Sequence, residues 1–173
     1  MSLAIYIVLA LVALQRLIEV AYAERNTRAL LARGAVEVGR AHYPLIVLLH
    51  AAWLAAIALF LPPQAVIHWW ALSLFVALQL VRIWVIATLG PYWTTRIITI
   101  DGAPLVRRGP YRFVRHPNYL VVAGEIATLP LAFGETLVAI AFTVLNAAML
   151  AWRIRQEDRA LAARRARMPA NAG

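Results

Sequence analysis

The stretch GPYRFVRHPNYL, Gly109 to Leu120, concentrates groups that bind or move charge: Arg112, Arg115, His116, and the phenols of Tyr111 and Tyr119. Pro110 and Pro117 stiffen it, and a proline pushes the residue before it out of helical geometry. Proline also favours the first helical position, so Pro117 is expected to open a helix with His116 just outside it. The N–H groups of Asn118, Tyr119 and Leu120 would then be free to face an anion or another hydrogen-bond acceptor. Two readings fit these residues. One is a small cradle for a polar cofactor; the other is an arginine and tyrosine anchor where water meets lipid.

Further along, WRIRQEDRAL places Arg153 and Glu157 four residues apart, on one helical face. Taken alone, that pair reads as a solvated helix end with an intrahelical salt bridge. Glu125 lies eight residues past Pro117, about 12 Å along the same helix. No basic residue stands three or four positions away from it, so it needs a partner from another segment or from a ligand. Arg16, Glu19 and Arg82 also fall inside apolar segments, where ionisable groups face a bundle interior or a cavity. Helix-to-helix ion pairing with snorkelling arginines is the simpler reading of that trio. His42, His50, His68 and His116 show no metal-ligand spacing, and there is no cysteine, so no metal site is expected. Glycine-rich nucleotide loops and a nucleophile elbow are absent too.

The elements that carry these residues are apolar. The chain of 173 residues is 63% hydrophobic and 14% charged. Soluble domains hold about 45–50% apolar and about 25% charged residues, so this is read as an integral membrane protein of one domain. Five apolar segments emerge, at Leu3–Tyr22, Tyr43–Leu61, Val66–Leu89, Tyr119–Phe133 and Thr136–Trp152. A full span needs about 20 residues, which the first three supply. The last two, joined by Gly134 and Glu135, are expected to form a short helical hairpin that crosses obliquely or enters only part of the bilayer. Ala21-Tyr22-Ala23 mimics a signal-cleavage site. No positive charge precedes that apolar run, however, and it is read as a retained helix.

All 17 basic residues are arginine, and the net charge is +9. Apart from Arg16 and Arg82, they fall in the segments 23–42 and 90–118 and in the tail, with none in the connections at 62–65 and 134–135. Five crossings with the amino terminus outside bring every basic segment to one side, the cytoplasm by the positive-inside rule. That explains the charge without nucleic acid. The fold expected is therefore all-α, with about five transmembrane helices and a cytoplasmic carboxy terminus.

GPYRFVRHPNYL resembles the G-x-Y-x-x-x-R-H-P-x-Y motif of the isoprenylcysteine carboxyl methyltransferase family, and RIRQEDRAL resembles that family's R-x-x-x-E segment. The two motifs stand in the family's order, separated by the hairpin. RNTRALLARGAVEVGRAHYP and LGPYWTTRIITIDGAPLV resemble a bacterial branch thought to O-methylate alkyl-pyrones or alkyl-resorcinols. The resemblance implies S-adenosylmethionine as cofactor, held by residues 90–165 at the cytoplasmic side of an inner membrane, with residues 1–89 forming the substrate side. It implies cofactor contacts from Pro104, Leu105, Val106, Tyr111, His116, Pro117, Asn118, Tyr119 and Glu157. Arg153 would face the substrate, a lipophilic small molecule or lipidated carboxylate drawn from among membrane lipids.

A carboxylate such as Glu157 suits the cofactor's ammonium, and Arg153 suits an acceptor oxyanion. A carboxylate acceptor needs no base, whereas a phenol or enol does, and His116 or Glu125 is expected to supply it. Two other readings remain: a phospholipid N-methyltransferase, which shares a similar R-H-P-x-Y and paired-acid signature, and a non-catalytic membrane scaffold.

Overall fold

A computed structural model describes residues 2–40, 43–100 and 106–166. Five helices are present: α1 (Ser2–Ala32), α2 (Tyr43–Phe60), α3 (Trp69–Leu89), α4 (Pro117–Ala132) and α5 (Thr136–Ala166). Short 3-10 turns follow α3 at Gly90–Tyr92 and precede α4 at Gly109–Arg112. Two strands, β1 (Val36–Val38) and β2 (Ile97–Thr99), pair antiparallel with Glu37 opposite Ile98.

Three features depart from the sequence expectation. The fold is mainly but not wholly helical, because β1 and β2 join the two arginine-bearing connections into a ribbon. Segment α1 does not end near Tyr22 but runs 31 residues to Ala32, and α5 runs 31 residues to Ala166. Apolarity stops at the lipid boundary, whereas helical hydrogen bonding continues into water. The last two helices are therefore not a matched short hairpin. Only α4 is short, at 16 residues.

Among the described residues four helices are long and apolar enough to cross a membrane: Leu3–Ala32, Tyr43–Phe60, Trp69–Tyr92 and Thr136–Ala160. Their outer faces carry exposed Leu17, Leu48, Ile83 and Val144. Large apolar side chains pointing outward along the whole bundle suit a lipid solvent. The short α4 is the opposite case. Nine of its sixteen residues are buried, among them Val121, Val122, Glu125, Ile126 and Leu129. It packs mainly against α3 and α5. Gly124 permits the close approach to α3, since a Cβ there would meet Leu78 Cδ1 at 2.7 Å.

Pro130 sits inside the last turn of α4 and has no N–H to give the carbonyl of Ile126. That orphan acceptor is met from another helix: Trp53 Nε1 on α2 donates to it at 3.2 Å, and Trp53 is 1% exposed. Around this contact lies the larger apolar core, with Ile5, Leu9, Ile57, Phe75, Leu129 and Phe133. A second, smaller core of Ala23, Val85 and Trp93 lies toward the connecting segments.

Between α1, α3 and α4 stands a cluster of four charges, of which Glu19, Arg82 and Glu125 are buried and Arg16 half-buried. Arg82 Nε donates to both oxygens of Glu19 at 2.9 and 2.8 Å, and its Nη1 donates to Glu125 Oε2 at 2.8 Å. Arg16 pairs with Glu19 and with Glu125, each at 3.0 Å. Gln15 joins Glu19 to Gln79 of α3 at 3.0 and 2.9 Å. Two guanidinium groups match two carboxylates within the cluster. The helix-to-helix pairing expected for Arg16, Glu19 and Arg82 is present, and Glu125 completes it.

Candidate functional site

The first motif folds as its prolines dictate. Gly109 takes a positive φ of 57°, and a Cβ there would strike Thr88 Oγ1 at 2.5 Å, so only glycine lets this turn lie against α3. Pro110 is buried within the turn. His116 is non-helical, with φ −129° and ψ 62°, and Pro117 occupies the first turn of α4. His116 also answers part of the helix start: its carbonyl accepts from Tyr119 N at 3.1 Å and Leu120 N at 3.5 Å. The expectation of three free N–H groups is thus corrected. Those of Tyr119 and Leu120 are bonded back to the residue that begins the helix.

The second motif meets the first here. Tyr119 Oη donates to Glu157 Oε2 and accepts from Arg153 Nε at 2.8 Å. Arg153 is buried, lies over the Tyr119 ring, and gives a further hydrogen bond from Nη2 to the carbonyl of Thr95 at 2.7 Å. His116 stacks on Tyr119 with centroids 5.2 Å apart and planes 18° from parallel. Its Nδ1 lies 3.6 Å from Glu157 Oε2, and its Nε2 lies 3.5 Å from Asp158 Oδ1. Burial, with the Glu157 charge adding to it, pushes the Tyr111 phenol well above its ordinary pKa, so Tyr111 stays a neutral donor.

The structure therefore joins His116, Tyr119, Arg153 and Glu157 in one hydrogen-bonded and stacked group, with Tyr111 in electrostatic range of Glu157. The i, i+4 spacing on α5 that reads alone as an intrahelical bridge is not used as one. Arg153 and Glu157 meet instead through the phenol of Tyr119. Pro117 is buried behind this group. Glu125, expected as a base, makes its ion pairs with Arg16 and Arg82 rather than with His116 or Arg153. That carboxylate is thereby committed to the ion cluster between α1, α3 and α4. Val106 is half-buried at the head of its segment, whereas Pro104 and Leu105 lie outside the described residues. Among the described residues no cluster of metal ligands occurs.

Sequence reasoning missed the Thr95 carbonyl. A backbone acceptor carries no residue signature, and only the β1–β2 ribbon brings it to Arg153. It also left Arg96 outside the site. Arg96 pairs with Glu24 at 3.4 Å and Glu37 at 3.3 Å and lies over Tyr43 at 4.7 Å, tying α1, the ribbon and α2 together.

Two polar atoms at the head of α4 are buried and unsatisfied: Asn118 Oδ1 and His116 Nε2. Buried polar atoms without partners are rare in folded proteins. With the carboxylate of Glu157 and the aromatic faces of His116, Tyr119 and Tyr111, they match a ligand that carries an ammonium, hydrogen-bond donors and a second cationic centre.

Residues 71–163 match the sequence profile of the isoprenylcysteine carboxyl methyltransferase (ICMT) family. The chain is 37% identical over 160 residues to an uncharacterised protein, YpbQ, of Bacillus subtilis (strain 168), covering 90% of this chain and 95% of the relative. It is 27% identical over 142 residues to an uncharacterised protein of Haemophilus influenzae (strain Rd), covering 79% and 83%. No solved structure gives a significant match. The matched region runs from early α3 through most of α5 and contains every member of the group around Tyr119, and on this ground the chain belongs to the isoprenylcysteine carboxyl methyltransferase family.

Proposed function

We propose that the protein is an S-adenosylmethionine-dependent O-methyltransferase of the bacterial inner membrane, acting on a lipophilic acceptor from the cytoplasmic side. The observation that carries this reading is the chain of contacts from Thr95 through Arg153 and Tyr119 to Glu157. It unites the two family motifs where α4 begins and brings a carboxylate and a guanidinium to one phenolic oxygen.

The methyl donor supplies an electrophilic methyl on a sulfonium with a neutral sulfur leaving group. Everything else falls to the chain. Glu157, with Tyr119 as its donor, would bind the ammonium. His116, Tyr119 and Tyr111 offer aromatic faces to the cationic sulfur, and Asn118 Oδ1 offers an acceptor. Arg153 would orient the acceptor oxygen and hold its negative charge. Much of the acceleration is then alignment of oxygen, methyl and sulfur with water kept out. Val106, with Pro104 and Leu105, would contribute donor contacts, as the family resemblance implies.

An apolar groove of 220 Å³ is lined by Leu78 and Val81 of α3, by Phe113 and Val114, and by Pro117 and Leu120 of α4, next in sequence to His116 and Tyr119. Its apolar lining suits an acyl or prenyl tail. The bundle of residues 1–89 would then complete the substrate side. An amine acceptor fits less well, because Arg153 would repel its protonated form.

The test is transfer of a labelled methyl group from S-adenosylmethionine into membrane lipid extracts by the purified full chain. Base-labile label indicates an ester, and stable label an ether. Mass spectrometry of lipids from cells with and without the protein should show pairs differing by one methylene. Failure to bind S-adenosylmethionine in a thermal-shift titration would favour a scaffold instead.

A further inference from the structure

Two of the three guanidinium nitrogens of Arg153 are committed to the protein. Nε donates to Tyr119 Oη at 2.8 Å, and Nη2 donates to the Thr95 carbonyl at 2.7 Å. Nη1 makes no hydrogen bond to a described residue, so its hydrogens are left for an acceptor oxygen. The guanidinium is a rigid planar fork, and fixing two of its nitrogens fixes the direction of the third. The aim of Nη1 is therefore set by two anchors. Tyr119 belongs to the first motif, whereas Thr95 belongs to neither.

Thr95 sits in a bend between the turn Gly90–Tyr92 and β2. A bend in a connecting segment keeps one shape only where other elements tie it down. At its leading end, Asn26 of α1 donates from Nδ2 to the carbonyls of Gly90 and Trp93 at 3.1 and 2.9 Å. At its trailing end, Ile97 of β2 pairs with Val38 of β1. In between, the Thr95 hydroxyl donates to Tyr43 Oη of α2 at 3.3 Å. The next residue, Arg96, lies over the Tyr43 ring, with its guanidinium 4.7 Å from the centroid. Its Nη1 and Nη2 reach Glu37 of β1 and Glu24 of α1 at 3.3 and 3.4 Å. Thr94 Oγ1 donates to the Arg96 carbonyl at 2.8 Å and stiffens the bend.

These ties share an origin. Glu24, Asn26, Glu37, Val38 and Tyr43 all precede residue 71, where the family match begins. Glu157, by contrast, is bonded to Tyr119 and flanked by His116, both inside the match. The carboxylate assigned to the donor and the guanidinium assigned to the acceptor are thus positioned by different parts of the chain.

We infer that Tyr43 and Arg96 are positioning residues for methyl transfer: acting through the Thr95 carbonyl, they aim Arg153 Nη1 at the acceptor oxygen. This rests on the methyltransferase reading above and deepens it. Neither residue needs to touch donor or acceptor. Without their hold the bend relaxes, and Arg153 keeps Tyr119 but loses its second anchor. A displacement of about 1 Å at a reacting group costs up to about 10²-fold in rate. Donor binding, anchored elsewhere, is spared.

The test uses the full chain in lipid nanodiscs, with labelled S-adenosylmethionine and bacterial membrane lipid extract as the acceptor pool. The variants are Arg96→Gln, Tyr43→Phe, Arg153→Lys and each of the first two combined with Arg153→Lys. Tyr43→Phe keeps the ring beneath Arg96 and removes only the bond to Thr95. The initial rate should fall about 10- to 10²-fold for R96Q and about three- to tenfold for Y43F. The calorimetric Kd for S-adenosylmethionine should stay within about twofold, as for independent sites. Arg96→Lys keeps a charge for Glu24 and Glu37 and should recover part of the rate lost in R96Q. Lysine at 153 lacks the fork that Thr95 aims, so in that background R96Q and Y43F should each cost less than about twofold. A loss through general weakening of the fold would instead repeat in full there. Unchanged rates in both single variants, full losses repeated beside Arg153→Lys, or a Kd that rises with the lost rate overturns the positioning role. Labelled transfer by the unmodified protein then leaves the broader reading standing. Should R96Q fail to fold, Y43F and its double variant decide the matter. An unmodified chain that binds no S-adenosylmethionine, or binds it and transfers no label, overturns both.

Discussion

At the scale of single residues, Arg153 and Glu157 divide the work that their spacing alone leaves ambiguous. Arg153 is buried and donates to two oxygens from different segments, so its position is set before any ligand arrives. Its removal should abolish most turnover, by about 10²-fold or more as for other groups that hold developing oxyanions, while cofactor binding by calorimetry stays near that of the unmodified protein. Unchanged activity would place Arg153 outside the site. Glu157→Ala should instead weaken S-adenosylmethionine binding about thirtyfold or more, the usual cost of truncating one partner of a desolvated charge pair. An unaltered Kd would contradict that role. The motif types were legible in the sequence because proline, histidine and paired charges at fixed spacing mean the same thing in any context. The Tyr119 bridge was not, since it joins residues 34 and 38 positions away.

At the scale of elements, α4 organises the molecule. It is too short to be a free-standing span, and it is the helix most enclosed by others. Its defect at Pro130 is repaired by Trp53, so Trp53→Phe should leave the Ile126 carbonyl orphaned. A loss of about 1–3 kcal/mol is expected, read as a lower unfolding temperature. The buried charge cluster registers α4 against α1 and α3. Glu125→Ala would leave Arg16 and Arg82 underpaired and should destabilise by about 3–5 kcal/mol. Loss of activity without loss of thermal stability in Glu125→Gln would argue that Glu125 takes part in chemistry after all. The sequence showed that Glu125 needed a partner; which helix supplied it depended on how the helices rotate against each other.

For the molecule as a whole, the outward-facing apolar surface and the clustering of arginine near one end determine how it sits in lipid. The turn between α4 and α5 stands at the other end. There Glu135 is 5% exposed with both carboxylate oxygens unpartnered, and burial pushes its pKa up to about 7. The ordinary value is 4.5. The folded protein therefore binds a proton that the unfolded chain has already lost between those values, and stability falls as pH rises through about 7. The apparent unfolding temperature in detergent should drop between pH 5 and 8. Glu135→Gln should flatten that slope and be the more stable protein at pH 8. An identical pH slope in the variant would remove Glu135 as the cause.

Composition, hydropathy and two short motifs determined by themselves that this is a helical membrane protein of the isoprenylcysteine carboxyl methyltransferase family, because lipid solvation and local backbone rules act residue by residue along the chain. Tertiary structure alone decided the pairing of Glu125 with Arg16 and Arg82 and the ribbon that carries Thr95 to Arg153. Those contacts depend on helix rotation, tilt and loop closure, which arise from packing among distant segments and leave no periodic trace in the order of residues.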